Sequence, residues 1–322
     1  MLWKCLSFIQ RNLVWSIPAV MALGLFCGTQ ADLSALKYAV MPLTFLMVYP
    51  MMVNLQFEKI FSTASVKAQL YSQLINFIAI PFFTFFLAQY FFPDEPYVVL
   101  GLLFVALLPT SGMTISWTGF AKGNISAAIQ MTVIGLVLGS IATPFYIKFL
   151  MGTVIEIPVM QIANTILVVI LLPMIAGFAT RKTLVKLYGR QTYADKIKKK
   201  FPMLSTLGVL GIVFVAMALK AKAITGEPTV LLHFLVPILV LYLVNFTMST
   251  VLARLLLNRD DGIALVYGTV MRNLSVSLAI AMTAFDNGAD IAVIIAVAYI
   301  IQVQAAAWYV RLTPYIFGKK AA

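Results

Sequence analysis

The feature that most constrains this chain is a series of long apolar segments along its whole length. A helix needs about 20 mostly apolar residues to cross roughly 30 Å of hydrocarbon. Ten such segments can be placed in the 322 residues, near 12–28, 36–57, 68–92, 97–120, 125–150, 157–179, 202–222, 229–256, 262–285 and 291–313. The composition agrees, because 62% of the side chains are hydrophobic and 11% are charged. We predict an all-α membrane protein with ten transmembrane helices.

Positive charges alternate between the loops, and this pattern predicts the orientation. Lys and Arg are retained on the cytoplasmic side of a membrane, whereas acidic residues carry little topological information. With the amino terminus inside, eighteen Lys and Arg side chains are inside and four are outside. The inside set is Lys4, Arg11, Lys59, Lys67, Lys122, Arg181, Lys182, Lys186, Arg190, Lys196, Lys198, Lys199, Lys200, Arg254, Arg259, Arg311, Lys319 and Lys320. We expect a multi-pass protein of the plasma or inner membrane with both termini in the cytoplasm.

Few residues could carry enzymatic chemistry. The chain has one histidine, His233, and two cysteines, Cys5 and Cys27, and none is paired at the spacing of metal ligands. A helix would place the two cysteines about 33 Å apart, too far for a disulfide. His233 fits a hydrogen-bonded residue near the outer end of the eighth span better than a catalytic base. We expect no enzyme, no metal site and no cofactor.

The formal charge of +12 raises the alternative of nucleic-acid binding. The densest basic run, "RKTLVKLYGRQTYADKIKKKF" from Arg181 to Phe201, is better explained as a loop that fixes orientation and rests on anionic lipid. A regulatory or partner-binding role is the second explanation. We expect a small-molecule or anionic substrate and the bilayer as partners, and no nucleic acid. The sequence does not define an oligomeric state.

The loop after the fifth span divides the chain into two sets of five spans. Homologous halves with an odd number of spans must have opposite orientations, as in the inverted repeats of many secondary transporters. We predict a first repeat at residues 1–151, with spans one to five, and a second at 152–322, with spans six to ten. In such folds, broken helices near the midplane form the substrate site.

The fourth span of each half has polar residues at a matching depth. In the first half, "PTSG" (Pro109 to Gly112) is expected to interrupt the helix, because proline lacks an amide hydrogen and glycine relaxes the backbone. The freed peptide groups must be buried in protein or line a wet cavity. A proline kink with Ser and Thr bonded to their own helix is the structural alternative. In the second half the polar residues are Gly268, Thr269, Arg272, Asn273, Ser275 and Ser277.

Arg272 lies near the middle of the apolar stretch "LVYGTVMRNLSVSLAIAMTAF". An arginine at the centre of a lipid-exposed helix costs at least about 2.5–3.5 kcal/mol. Either interface is about 15 Å away along the helix, which makes snorkelling a poor escape. We therefore expect Arg272 to face protein or a cavity. The predicted substrate-binding residues are Thr110, Ser111, Thr114, Ser116, Arg272, Asn273 and Ser275.

These motifs are similar to those of the bile acid:sodium symporter superfamily, which includes the arsenite-efflux permeases of the arsenical-resistance type. The resemblance covers the whole chain and rests on three features: Tyr49-Pro50, Pro109 followed by "W-x-x-x-A-K-G-N" (Trp117 to Asn124), and "RNLSVSLAIAMTAF" (Arg272 to Phe285). It implies a core domain of spans three to five and eight to ten. It also implies a panel domain of spans one, two, six and seven, with broken fourth and ninth helices crossing in the core.

The arsenite-efflux branch is the nearer one, judged by Met113, Trp117 and "AKG". The resemblance places that branch's fourth-span cysteine on Thr110 and its ninth-span acidic residue on Ser275. A hydroxyl does not bind trivalent arsenic as strongly as a thiolate does. Arsenite or antimonite efflux is therefore the alternative function rather than the first.

The positions that resemble sodium ligands have lost most of their oxygens. The ninth-span Glu and Gln of sodium-coupled relatives fall on Gly268 and Arg272, so a carboxylate is gone and a fixed cation stands in a ligand's place. The full set of degenerate ion-site positions is Asn76, Thr114, Ile115, Ala128, Thr132, Gly268 and Arg272. We predict that transport is not coupled to sodium.

No acidic residue lies within a predicted span, so Arg272 has no internal salt-bridge partner. It could replace sodium as a structural cation, pair with an anionic substrate, or bond to helix carbonyls as an ordinary structural arginine. We predict a secondary transporter that moves a small solute, an organic anion or an oxyanion, by alternating access. A membrane sensor or scaffold that kept the fold and lost transport is the competing class.

Overall fold

Helices make up the described part of the chain. The structure, a computed structural model, describes residues 2–55, 65–152, 159–226 and 229–318. These residues form α-helices and no β-strand. In chain order the helices are α1 (Leu2–Arg11), α2 (Leu13–Gln30), α3 (Val40–Val53), α4 (Val66–Leu74), α5 (Ile80–Phe91), α6 (Pro96–Leu107), α7 (Gly112–Phe120), α8 (Ile125–Met151), α9 (Val159–Ile166), α10 (Leu172–Tyr188), α11 (Arg190–Thr192), α12 (Phe201–Leu219), α13 (Ala221–Gly226), α14 (Thr229–Leu256), α15 (Arg259–Val270), α16 (Leu274–Ala284) and α17 (Gly288–Phe317).

Short segments of other helix types continue several of these helices. A π-helical turn at Ile75–Ala79 joins α4 to α5, and another at Leu167–Leu171 joins α9 to α10. Between α11 and α12, a π turn at Tyr193–Ile197 and a 3₁₀ turn at Lys198–Lys200 keep the chain helical. A 3₁₀ turn at Ser34–Ala39 precedes α3. Long membrane-sized rods therefore form from consecutive short elements.

Several of these rods have the length and composition of membrane spans. Among the described residues, 7 helical stretches are long and apolar enough to cross a membrane: Ser34–Val53, Val66–Phe91, Ile125–Met151, Val159–Tyr188, Arg190–Leu219, Leu231–Leu256 and Gly288–Phe317. Two shorter apolar helices are α6 and α16. The protein is a multi-pass membrane protein, and its described residues are all-α.

Predicted spans four and nine each consist of two helices. Residues 97–120 comprise α6 and α7, and residues 262–285 comprise the greater part of α15 followed by α16. The sequence does not predict α1, which precedes the span predicted at 12–28. Some predictions lie outside the described residues: the end of span two at 56–57, the start of span six at 157–158, and Lys59, Lys319 and Lys320. The ten-span, two-repeat plan stays a prediction.

One compact unit consists of residues Met1–Leu55, Pro158–Leu232 and Ser275–Ala296. In this unit α12 packs closely against α2 through the glycines of "GLFCG". A Cβ added at Gly24 would lie 2.8 Å from the carbonyl oxygen of Phe214, and one at Gly28 would overlap the carbonyl oxygen of Ala218. Small residues at this spacing let two apolar helices approach where lipid provides no hydrophobic drive for association.

The other compact unit consists of residues Gln56–Ile157, His233–Leu274 and Val297–Ala322. Here the "AKGN" turn after α7 is fastened to the start of α15. The backbone N–H of Asn124 donates to the carbonyl of Asp260 (2.9 Å), and its side-chain amide donates to Asp261 Oδ1 (2.7 Å). A Cβ at Gly123 would lie 2.6 Å from Ile263 Cγ2, so only glycine fits this approach. This contact helps to position the two helix breaks described next.

Candidate functional site at two helix breaks

The first break lies at the predicted "PTSG" stretch. Helix α6 ends at Leu107 and α7 begins at Gly112, with Leu108 at φ −104°, ψ 88°. Proline at position 109 cannot donate a helical hydrogen bond, and the residue before a proline is pushed out of the helical region. The sequence thus produces a non-helical four-residue segment between two short helices.

Thr110 has the least usual backbone in this break. Its φ of 62° lies in the left-handed region, which is strained for a β-branched residue. The fully buried hydroxyl lies 2.6 Å from the carbonyl oxygen of Pro109 and 3.2 Å from that of Thr132, and can donate to either. A Cβ at Gly135 would come within 2.5 Å of the same hydroxyl. Helix α8 therefore holds Thr110 in its strained conformation.

Three other hydroxyls of the first break are used within the chain. Ser111 and Thr114 form a capping box at the start of α7. The Ser111 hydroxyl accepts from Met113 N–H (3.2 Å), and the Thr114 hydroxyl accepts from Ser111 N–H (3.1 Å). Ser116 is exposed, and its hydroxyl donates to the carbonyl of Gly112 (3.4 Å). These hydroxyls stabilise α7, and Ser116 lies apart from the buried groups.

The second break spans Met271 to Asn273, between α15 and α16. Met271 is extended at φ −82°, ψ 96°. Arg272 forms an isolated antiparallel bridge with Pro109, and the Asn273 N–H donates to the carbonyl of Leu108 (2.8 Å). The two extended segments therefore pair with each other, and each satisfies peptide groups that the other has freed.

The side chain of Arg272 lies at the carboxyl-terminal end of α6. It is 2% exposed, and its Nη1 donates to the carbonyl of Ala106 (3.1 Å). The last carbonyls of a helix lack internal partners and carry partial negative charge, which favours a cation. Nη2 of Arg272 is buried and has no hydrogen-bond partner among the described residues. The guanidinium thus caps one helix and keeps one donor group for another acceptor.

Gln302 of α17 holds the backbone of Arg272 and was missed at the sequence level. Gln302 Oε1 accepts from the Arg272 N–H (2.7 Å), and Gln302 Nε2 donates to the Arg272 carbonyl (3.2 Å). The Tyr242 hydroxyl also donates to Gln302 Oε1 (2.8 Å). Both side chains are buried. The signal that could have found Gln302 is a glutamine within the apolar stretch "VAYIIQVQAAAW", which also contains the exposed Gln304.

Two asparagines satisfy successive carbonyls at the end of α15. Asn76 Nδ2 donates to the carbonyl of Gly268 (2.9 Å), and Asn245 Nδ2 donates to the carbonyl of Thr269 (3.0 Å). Ser249 adds a hydrogen bond of 2.7 Å to the Thr269 hydroxyl. All of these groups are buried, so side chains of neighbouring helices satisfy the carbonyls of Gly268 and Thr269 at the end of α15.

Apart from Arg272, which is described above, the degenerate ion-site positions form two groups and leave Ile115 outside both. Asn76 and Gly268 are in contact through the hydrogen bond just described, and a Cβ at Gly268 would overlap Met131 Sδ. The Thr132 hydroxyl donates to the Ala128 carbonyl (2.7 Å) and lies 3.4 Å from the Ser111 carbonyl, close to the capping box of Thr114. Ile115 is half-buried and apolar. No cluster of three His, Cys, Asp or Glu is present in the described residues.

Asn273 and Ser275 are both buried, at 0% and 7% exposure. Asn273 pairs with the first break through its backbone, as described above. Ser275 lies in the first turn of α16, within the compact unit that contains Ser275–Ala296. The structure brings Thr110, Arg272 and Asn273 together at the paired breaks.

Known proteins similar to this chain include arsenical-resistance proteins. The chain is 22% identical over 303 residues to the arsenical-resistance protein Acr3 of Corynebacterium glutamicum, an alignment that covers 87% of this chain and 82% of that protein. It is 23% identical over 320 residues to Acr3 of Alkaliphilus metalliredigens, and this alignment covers 91% of this chain and 89% of that protein. It is 21% identical over 279 residues to an uncharacterized transporter of Synechocystis, and this alignment covers 79% of this chain and 72% of that protein.

The family comparison agrees with the motifs and the helical architecture. The model of the Sodium Bile acid symporter family matches residues 41–227, which is more than half of the chain. This match includes the first break and its capping residues. The chain therefore belongs to the Sodium Bile acid symporter family and is a membrane protein that resembles the secondary transporters of that family.

Proposed function

We propose that this protein is a secondary transporter of a small anion, an organic anion or an oxyanion, that pairs with Arg272. The observation that carries the proposal is the buried guanidinium, whose Nη2 has no partner within the part of the chain that the structure describes. A buried charge without a full set of partners is costly, and an unsatisfied buried donor alone costs about 1–3 kcal/mol. An anionic oxygen that accepts from Nη2 would remove this penalty.

The charge distribution of the helices supports an anionic ligand. The acidic residues of α15 and α17 lie in the first turns of these helices, at Asp260, Asp261 and Asp290. Asp261 is about 15 Å from the break, counted along the helix axis. The described residues around Arg272 therefore offer carbonyls and amides but no carboxylate, which leaves an external anion as the natural counter-charge.

The same geometry supports transport without sodium coupling. Sodium is a hard cation that binds oxygen ligands. The carbonyl of Gly268 accepts from the Asn76 amide, and the carbonyl of Ala106 accepts from Arg272. N–H donors thus occupy oxygens of the kind that a sodium ion would use, and the guanidinium would repel the ion.

The proposal includes the arrangement of the helices into repeats and domains. Ten helices in two inverted repeats, 1–151 and 152–322, would form a core of spans three to five and eight to ten and a panel of the other spans. The broken fourth and ninth helices would cross in the core, and movement of the core against the panel would alternate access. The protein would lie in the plasma or inner membrane with both termini in the cytoplasm.

Efflux of arsenite or antimonite is the second candidate function. It is favoured by the similarity to two proteins named for arsenical resistance. Thr110 stands where the resemblance places a cysteine, and its hydroxyl already lies against the carbonyls of Pro109 and Thr132. A thiolate is the ligand suited to a soft trivalent arsenic centre, and the Thr110 hydroxyl does not replace it. The site therefore favours an oxyanion or a carboxylate over arsenite. A sensor or scaffold without transport is the third candidate.

A thermal-shift screen of the purified protein tests the proposal. The ligands are phosphate-like oxyanions, small carboxylates, arsenite and antimonite, each with sodium and with potassium. We expect an anion to raise the Tm of the protein, because a ligand that binds only the folded state stabilises it. The shift should vanish in Arg272→Gln and persist in Arg311→Gln, a matched change at an exposed arginine. Flux of the same anion into proteoliposomes then separates transport from sensing.

A further inference from the structure

The segment between α10 and α12 carries a dense set of exposed cations. Residues 181–200 contain eight of the chain's 23 Lys and Arg residues and one of its 11 acidic residues. Six of these cationic side chains are exposed: Lys182, Lys186, Arg190, Lys196, Lys199 and Lys200. The acidic residue, Asp195, accepts from the side-chain amide of Gln191 (2.8 Å). Within residues 181–200, a single carboxylate therefore stands against eight cations.

Hydrogen bonds hold this segment against the end of α3, within one compact unit. Arg181 Nη1 donates to the carbonyl of Leu55 (2.9 Å), and the buried Tyr193 donates its hydroxyl to the carbonyl of Val53 (3.3 Å). The side-chain amide of Asn54 donates to the carbonyl of Lys198 (3.2 Å). The cations are therefore displayed on a supported helical turn and not on a free loop.

Helix α1 lies beside this cationic segment. The ammonium of Lys200 lies 5.1 Å from the centre of the Trp3 ring, a cation–π contact that joins the two elements. Leu6 of α1 is buried, whereas Phe8 is 68% exposed and Trp3 is 39% exposed. The chain turns at Asn12 before α2 begins, so α1 is a separate element. A short amphipathic helix with exposed aromatic residues is typical of the membrane–water interface.

We propose that α1 and residues 181–200 together form a binding surface for the headgroups of anionic phospholipids. The cations attract the phosphate groups, while Trp3, Phe8 and the exposed Leu187 and Tyr188 enter the headgroup region. Charge alone would equally suit an acidic soluble partner. The exposed aromatic and aliphatic side chains on the same surface favour lipid, because they gain a place in the bilayer interface.

A titration of the full-length protein, purified and delipidated in non-ionic detergent, tests this surface. The probes are short-chain phosphatidylglycerol and phosphatidylcholine, and the readouts are the dissociation constant and the shift in Tm. At low salt we expect phosphatidylglycerol to bind at least about tenfold more tightly than phosphatidylcholine. Each cation close to the headgroup should raise the affinity roughly fivefold. The preference should shrink as the ionic strength rises.

Two matched triple variants locate the effect. The variant Lys196→Gln/Lys199→Gln/Lys200→Gln should lose the preference for phosphatidylglycerol. The variant Lys37→Gln/Lys148→Gln/Lys222→Gln removes the same charge from exposed lysines elsewhere and should keep it. Equal binding of both lipids, or equal losses in both variants, would overturn the proposal.

A second readout follows Trp3 itself. Brominated phosphatidylglycerol should quench part of the tryptophan fluorescence of the natural chain in nanodiscs, and Trp3→Phe should remove that part. Quenching unchanged by Trp3→Phe would exclude α1 from the lipid surface. Neither measurement depends on Arg272 or on transport. The lipid surface is therefore tested independently of the proposed anion site.

Discussion

The side-chain amide of Gln302 binds both backbone polar groups of Arg272. Its Oε1 lies 2.7 Å from the Arg272 nitrogen, and its Nε2 lies 3.2 Å from the Arg272 carbonyl oxygen. One side chain thus replaces the helical partners that the break removes. The amide also accepts the Tyr242 hydroxyl, so a single glutamine connects three elements of the same compact unit. The position of the Arg272 guanidinium depends on this contact because the guanidinium is attached to the backbone that Gln302 holds.

Replacement of Gln302 should damage both stability and anion binding. Gln302→Leu leaves the Arg272 N–H, the Arg272 carbonyl and the Tyr242 hydroxyl without their partner, at about 1–3 kcal/mol for each buried group. We expect a lower Tm and a weaker anion affinity. Gln304→Leu, at an exposed position two residues away, is the control and should change neither. A Gln302→Leu protein with an unchanged Tm would mean that the break is held by other contacts.

Replacement of Arg272 should separate its two roles. Arg272→Gln removes the charge, so we expect loss of saturable anion binding worth roughly 1.5–3 kcal/mol. The Tm without ligand should also fall, because the carbonyl of Ala106 loses its donor. Gly268→Glu combined with Arg272→Gln introduces a carboxylate and should make the Tm depend on sodium, provided that the flexible Met131 side chain shifts to admit the new Cβ. If Arg272→Gln changes neither affinity nor Tm, the residue is a tolerated structural arginine.

Sodium should neither stabilise the protein nor drive uptake. The motivating observations are the amide of Asn76 on the carbonyl of Gly268 and the guanidinium of Arg272 at a ligand position. The measurements are the Tm and the proteoliposome flux in sodium gradients, with potassium as the inactive control. A flux that follows the sodium gradient would contradict this prediction.

Expression of the protein in an arsenite-sensitive bacterial strain should give little or no resistance. Thr110 offers a hydroxyl that is engaged with backbone carbonyls, and it does not provide the thiolate that trivalent arsenic binds strongly. Thr110→Cys supplies a sulfur at this position and tests whether resistance can be introduced. Growth of cells with the natural chain on arsenite, at the level of a known resistance protein, would favour arsenite efflux instead.

The two asparagines at the end of α15 should contribute similarly to stability. Asn76→Ala and Asn245→Ala each remove the donor to a buried carbonyl, at Gly268 and Thr269, and should each cost about 1–3 kcal/mol. Ser116→Ala is the control, because that hydroxyl is exposed and bonded within its own helix. Thermal unfolding of the three variants in the same detergent gives the comparison. Equal Tm values for all three would show that water replaces the amides.

The helical class and the site of the first break follow from local properties of the sequence. Apolar segments of membrane length satisfy their own peptide groups in lipid as helices. Pro109 removes a helical donor and Gly112 relaxes the backbone, so together they favour a break at this point. Arg272 was marked as a buried polar centre by its cost in an apolar stretch. The inverted repeats and the direction of the termini stay predictions from span number and charge.

Tertiary structure alone decided which groups meet. Gln302 and Arg272 are separated by 30 residues, and Asn76 and Gly268 by 192, so no local pattern pairs them. The hydroxyls of Ser111 and Thr114 looked available for a ligand, but they cap α7 because helix ends must satisfy their free N–H groups. The sequence by itself determined where polar groups interrupt the apolar helices. Packing determined their partners, because a buried donor or acceptor is stabilised by a partner that the fold brings close, however far apart the two residues are in the sequence.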